Sequence, residues 1–294
     1  MKRILLFVGT NIAVLVVLSI VTSLLGVDRW ITQQGINPVA LLAFAAVFGF
    51  GGAFISLAIS KRMALWTTGA QIIQQPSNES EAWLVSTVGQ LARQSGIGQP
   101  DVAIYPGTEL NAFATGMRRD KALVAVSQGL LQGMRREEVE AVLAHEVSHV
   151  ANGDMVTMTL LQGVLNTFVI AVSRVVGWAV GRFAAGEDEE GGGISYLAYI
   201  VTTIAAQILL GIGASLIVMA FSRHREFRAD AGAAQLVGAG GMVAALKRLG
   251  AQSDEASELP EPVEAFGIRG GKSWMKLFAS HPPLEQRIAA LQSR

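Results

Sequence analysis

The 294-residue chain contains no cysteine. Structural disulfides and thiolate metal ligands are therefore excluded, any metal must be held by histidine and carboxylate, and the redox compartment stays open. Neither sign of charge is in excess: 23 Lys and Arg balance 23 Asp and Glu, and the pI is about 6.9. Nucleic-acid binding is normally announced by a basic surplus, so no DNA or RNA partner is expected. Histidine is scarce, with four in the whole chain. Apolar residues, in contrast, make up 51 % of the sequence, and the mean hydropathy of +0.43 points to a membrane.

Four apolar stretches organise the chain. The first, 4–25, follows Lys2-Arg3, and the second, 39–59, closes on Lys61-Arg62; together they read as a transmembrane hairpin over 1–62. The first run is too long for the core of a cleaved signal peptide, and a second span follows directly. Basic residues flank both outer ends, whereas Asp28 and Arg29 cancel in the connector. The positive-inside rule then puts the N-terminus and the chain after Arg62 in the cytoplasm. Two more stretches, 156–180 and 194–221, lie within 156–222 and are separated by an acidic, glycine-rich segment. Arg174 falls inside the third, where a charge must snorkel, pair or line a protein interior. An apolar hairpin that packs on the protein or dips into the bilayer is the alternative to two full crossings. Both versions return the chain to the side it left, so 63–155 and 223–294 share a compartment.

The fold class expected is mainly α with a small β-sheet. A helix is predicted over 80–94, ended by Gly-Ile-Gly-Gln-Pro, followed by three strands at 101–105, 111–115 and 122–127. A helix then opens at Arg135-Arg136-Glu137-Glu138 with the apolar stripe Val139, Val142, Leu143, Val147, Val150, and Asn152-Gly153-Asp154 stops it. Beyond the fourth stretch, 223–236 and 241–249 read as two helices. A polar segment rich in Glu and Pro from 251 to 262 suits a loop or lid, and an amphipathic helix starts at Leu284.

That first helix carries His145-Glu146-Val147-Ser148-His149. Residues at i and i+4 share a face, so both imidazoles can reach one tetrahedral zinc ion, while Glu146 reaches a water beside it and serves as general base. Because the helix is amphipathic and not a continuous span, the site is expected to be aqueous and juxtamembrane. A catalytic zinc needs a third protein ligand, and no third histidine follows at metzincin spacing. Glu226 is the best candidate, because Asp230 lies one turn later on the same face and can orient a ligand histidine. The small residues Ala229, Gly232 and Ala233 favour close helix approach. His224 sits among three arginines, which disfavour a bound cation. His281, its flank rigidified by Pro282-Pro283, is a candidate oxyanion stabiliser.

The paired spans, the pentapeptide, Arg225-Glu226-Phe227-Arg228-Ala229-Asp230 and Ser280-His281-Pro282 together resemble the membrane-bound members of zinc metalloprotease family M48. Asn111-Ala112-Phe113-Ala114-Thr115-Gly116 resembles the segment beside that family's substrate-binding edge strand. The resemblance implies a gluzincin-type protease domain with one zinc per subunit on His145, His149 and Glu226, with Glu146 activating water and Asn111 near the substrate. It also implies a stress-response protein of the bacterial inner membrane that degrades damaged or misfolded membrane proteins. An extended peptide would pair with an exposed strand edge within 111–126. Two rivals are weaker. A scaffold or chaperone with a structural zinc has no use for Glu146, and in a transporter ionisable residues would lie inside the apolar stretches, where Arg174 stands alone.

Overall fold

Helix α1 spans Pro38–Thr68. The computed structural model describes residues 38–185, 195–251 and 281–293. The stretch 4–25, the acidic glycine-rich segment and nearly all of the polar segment after Ala251 lie outside them. The described residues form two compact units, one within 1–55 and 159–218, the other within 56–158 and 219–294.

The first unit is built from long apolar helices. α1, α5 (Asp154–Ala185) and α6 (Tyr196–Val237) are each long and apolar enough to cross a membrane. Their outer faces leave Val47, Phe48, Ile55, Val201, Ile208 and Leu209 exposed, which lipid would cover and water would not. Small residues set the packing: a Cβ at Gly49 would meet Thr167, and one at Gly163 would meet the Phe50 ring. The guanidinium of Arg174 lies 4.3 Å from the centroid of the Phe44 ring, so this charge faces a neighbouring helix within the unit.

The second unit holds the sheet and the shorter helices. α2 (Glu79–Gln94) is capped by Asn78, whose side chain accepts the Glu81 N–H at 2.8 Å, while the Glu81 carboxylate accepts the Ser77 N–H at 2.7 Å. The sheet has four strands, one more than expected: β1 (Gln71–Ile72), β2 (Asp101–Tyr105), β3 (Ala112–Thr115) and β4 (Leu123–Ser127), in the order β1-β2-β4-β3. β2 and β4 are parallel, with Val102 opposite Val124, and the outer pairs are antiparallel. Side chains alternate between faces. Val102, Ala112, Ala114, Val124 and Val126 join the main core, while Ala103, Tyr105, Phe113, Leu123 and Ala125 pack with Ala64 near the end of α1.

α3 (Gln128–Gly133) follows β4, and α4 (Arg136–Asn152) lies in the core. Glu138 opens α4 by accepting the Arg135 N–H at 2.9 Å. From Glu138 to Val150 every residue except Glu140 is buried, so the amphipathic reading of this helix is corrected. Its polar face is covered by protein because the polar residues there belong to the site. Gly153, at φ 68, ends α4 in the left-handed conformation that glycine adopts without strain, and α5 starts at the next residue. The break expected between 194–221 and 223–236 is absent: α6 runs through both as one 42-residue helix. The Arg-rich segment marks a change of surroundings along a continuous helix. Gly238, at φ 86, then separates α6 from α7 (Ala239–Gly250), and α8 (Leu284–Gln292) closes the described chain.

Candidate active site

One turn of α4 sets the two imidazoles edge to face, with Nε2 atoms 3.0 Å apart. α6 brings Glu226 to both: Oε2 lies 3.3 Å from His145 Nε2 and Oε1 lies 3.2 Å from His149 Nε2. The approach depends on small residues. A Cβ at Gly232 would stand 2.7 Å from Ser148 Oγ, and Ala229 and Ala233 are fully buried. His145, His149 and Glu226 thus form a buried cluster that could hold a metal ion. The donor set fits a tetrahedral ion with bonds of about 2.0–2.1 Å, for which neighbouring ligand atoms stand about 3.3 Å apart. Among the described residues Glu226 Oε1 is buried without a hydrogen-bond partner, as befits an acceptor reserved for a cation.

Outer partners turn the ligands inward. His145 Nδ1 lies 2.9 Å from Asp230 Oδ1, and His149 Nδ1 lies 2.7 Å from Asp154 Oδ2, so both Nε2 atoms face the cluster. Glu226 Oε2 is also 2.7 Å from His281 Nδ1. Burial opposes a charge on His145, but its hydrogen bonds to Asp230 and Glu226 outweigh burial and lift its pKa to about 9. Burial pushes the carboxyl of Glu146 upward against the lowering influence of His145 and His149, and it holds the His281 imidazole below its usual range despite Glu226. A carboxyl that binds its proton more tightly than usual is a stronger base.

Two members of this cluster escaped the sequence reading. Arg287 of α8 is fully buried and grips Asp230 with Nε to Oδ2 at 2.8 Å and Nη2 to Oδ1 at 2.6 Å. Its signal was present, because Arg287 interrupts the apolar stripe of Leu284, Ile288 and Leu291 at helical spacing. Asp154, read as part of a helix stop, also bonds Arg228.

The remaining candidates are placed differently. His224 is exposed. Asn111 lies just before β3, buried, with its side-chain amide donating to Glu109 Oε1 at 3.3 Å and its N–H to Ser127 Oγ at 3.2 Å. β3 is an edge strand, but all four of its residues are buried, so the expectation of an exposed edge is corrected.

Convergent histidine and carboxylate ligands on buried helices, joined to helices of membrane-spanning length, define a membrane-associated metallopeptidase architecture. Comparison with known proteins agrees. Residues 78–294 match the model of peptidase family M48, and the chain belongs to that family. Along its full length it resembles proteins named Protease HtpX homolog. The one from Nitrosomonas europaea is 60 % identical over 296 residues, covering 100 % of this chain and 99 % of the relative. That from Janthinobacterium sp. (strain Marseille) is 58 % identical over 294 residues, with the same coverage. Among solved structures, S. mikatae Ste24p matches with a TM-score of 0.62 at 18 % identity, covering 98 % of this chain and 67 % of that one. This last likeness is one of fold.

Proposed function

We propose that this protein is a zinc-dependent endopeptidase of the bacterial inner membrane that hydrolyses damaged or misfolded membrane proteins, and unfolded polypeptides, at a cytoplasm-facing site. The observation that carries this reading is the convergence of His145 Nε2, His149 Nε2 and Glu226 on one buried point beside Glu146. A structural zinc would have no need for a buried carboxylate between its two histidines.

Zinc on these three ligands would supply Lewis acidity, drawing the pKa of water toward neutrality and polarising a peptide carbonyl. The chain's own residues do the rest. Glu146 takes the proton from the attacking water and returns it to the leaving amine, a transfer that its raised proton affinity favours. Asp230 holds the His145 ring in place. His281 Nε2 is buried without a hydrogen-bond partner among the described residues; with Nδ1 facing Glu226, a second proton on Nε2, the imidazolium form, would let it bind the oxyanion that develops on the carbonyl. The orientation rests on Lys61, Arg62 and the arginines of 223–228 lying beyond the apolar ends of α1 and α6.

The test is cleavage of an unfolded membrane protein by the purified full chain in detergent. Chelation is expected to stop cleavage and added zinc to restore it. Cleavage that persists at full rate after zinc removal would refute the reading.

A further inference from the structure

Asp154 stands to His149 as Asp230 stands to His145. We propose that Asp154 is the positioning residue for His149: its carboxylate accepts a hydrogen bond from the Nδ1–H, leaving Nε2 to face the metal, and its bridge to Arg228 holds the start of α5 to α6. This rests on the zinc reading of the centre. Three observations converge on it.

The first is the geometry of the turn. In an uninterrupted helix a residue five positions on lies about 140° round the axis, so Asp154 would face away from His149. Gly153, in the left-handed conformation, breaks the helix between them and returns Asp154 against the ring, with Oδ2 2.7 Å from Nδ1. The second is burial. Asp154 is 1 % exposed, and a carboxylate out of water requires a partner for each oxygen. Oδ2 has His149, and Oδ1 has Arg228. A carboxylate that merely favoured the N-terminus of α5 could stay in solvent, where that interaction is also available. The third is the order of elements. Glu226 and Arg228 are two residues apart on α6, so one short segment supplies a metal ligand and anchors the carboxylate that aims another. Arg228 keeps about half of its side chain in solvent, so its contribution is smaller than that of Asp154 itself.

The experiment measures zinc affinity of the full chain in detergent by competition with a chromophoric chelator, independently of turnover. Asp154→Asn is expected to weaken binding by about 10- to 100-fold, Asp154→Glu to recover part of the loss, and Arg228→Ala to cost less than Asp154→Asn. Imidazole 15N shifts of the zinc-bound wild type are expected to show the His149 proton on Nδ1. Wild-type affinity in Asp154→Asn overturns the proposal alone, and a His149 proton on Nε2 overturns it together with the assignment of that nitrogen to the metal. A wild-type protein that binds no zinc overturns the reading of the centre as well. The spectroscopic measurement stands even where the Asn variant fails to fold.

Discussion

Arg287 and Asp230 are joined by two parallel hydrogen bonds of 2.6 and 2.8 Å at a site where both side chains are shut off from water. The pair links α8 to α6 and, through Asp230, to His145 on α4. A planar guanidinium matches both oxygens of one carboxylate at once, so the contact fixes the direction of Asp230 as well as its charge.

Arg287→Ala therefore leaves a carboxylate buried without its counter-charge. Loss of about 3–5 kcal/mol is expected, read as a lower unfolding midpoint in denaturant. Arg287→Lys should recover little of it, because an ammonium cannot grip both oxygens from the same position. Full recovery by lysine would show that charge alone matters.

Gly232 measures how closely α6 must approach α4. A methyl group there meets Ser148 Oγ at 2.7 Å and Ser148 Cβ at 3.0 Å, so Gly232→Ala should cost about 1–3 kcal/mol and weaken metal binding as Glu226 is pushed away. Adding Ser148→Ala relieves part of the clash. A double variant no better than the single one would argue against this contact as the cause.

Proton release should accompany metal binding. His145 holds its proton up to about pH 9, yet only a neutral imidazole offers Nε2 to a cation. At pH 7 metal must displace that proton, so affinity falls as the pH is lowered, by about tenfold per unit from this group. Calorimetry in buffers of differing ionisation heat checks this: release of at least one proton is expected, and none would contradict the assignment.

His281 is the least constrained of the candidates. Its Nδ1 is committed to Glu226 and its Nε2 is left for the reaction. His281→Ala should lower kcat by about 100-fold or more with a smaller loss of zinc affinity. Unchanged kcat with a large loss of zinc would make it a support for Glu226 instead.

Helical periodicity explains what could be read from the chain. The His145–His149 pair and the Glu226–Asp230 pair each follow from spacing along their own helix, and the structure brings these four together. Asp154 carries no sequence signal for its role, and Arg287 carries only its interruption of an apolar stripe. Asp154 reaches His149 only because Gly153 reverses the local helix path, and Arg287 gains meaning only when α8 docks on α6. β1 spans two residues, too few for an alternating pattern. The continuity of α6 was hidden by the charged residues from Arg223 onward, which read as a boundary although the backbone has none.

The central claim is that Glu146 moves the proton while His145, His149 and Glu226 hold zinc. The most direct measurement is the zinc content and turnover of purified Glu146→Gln beside wild type, on one unfolded membrane substrate. Stoichiometric zinc is expected in both proteins, with a loss of kcat of about 100- to 10,000-fold in the variant. Wild-type turnover by a zinc-loaded Glu146→Gln protein would contradict that claim.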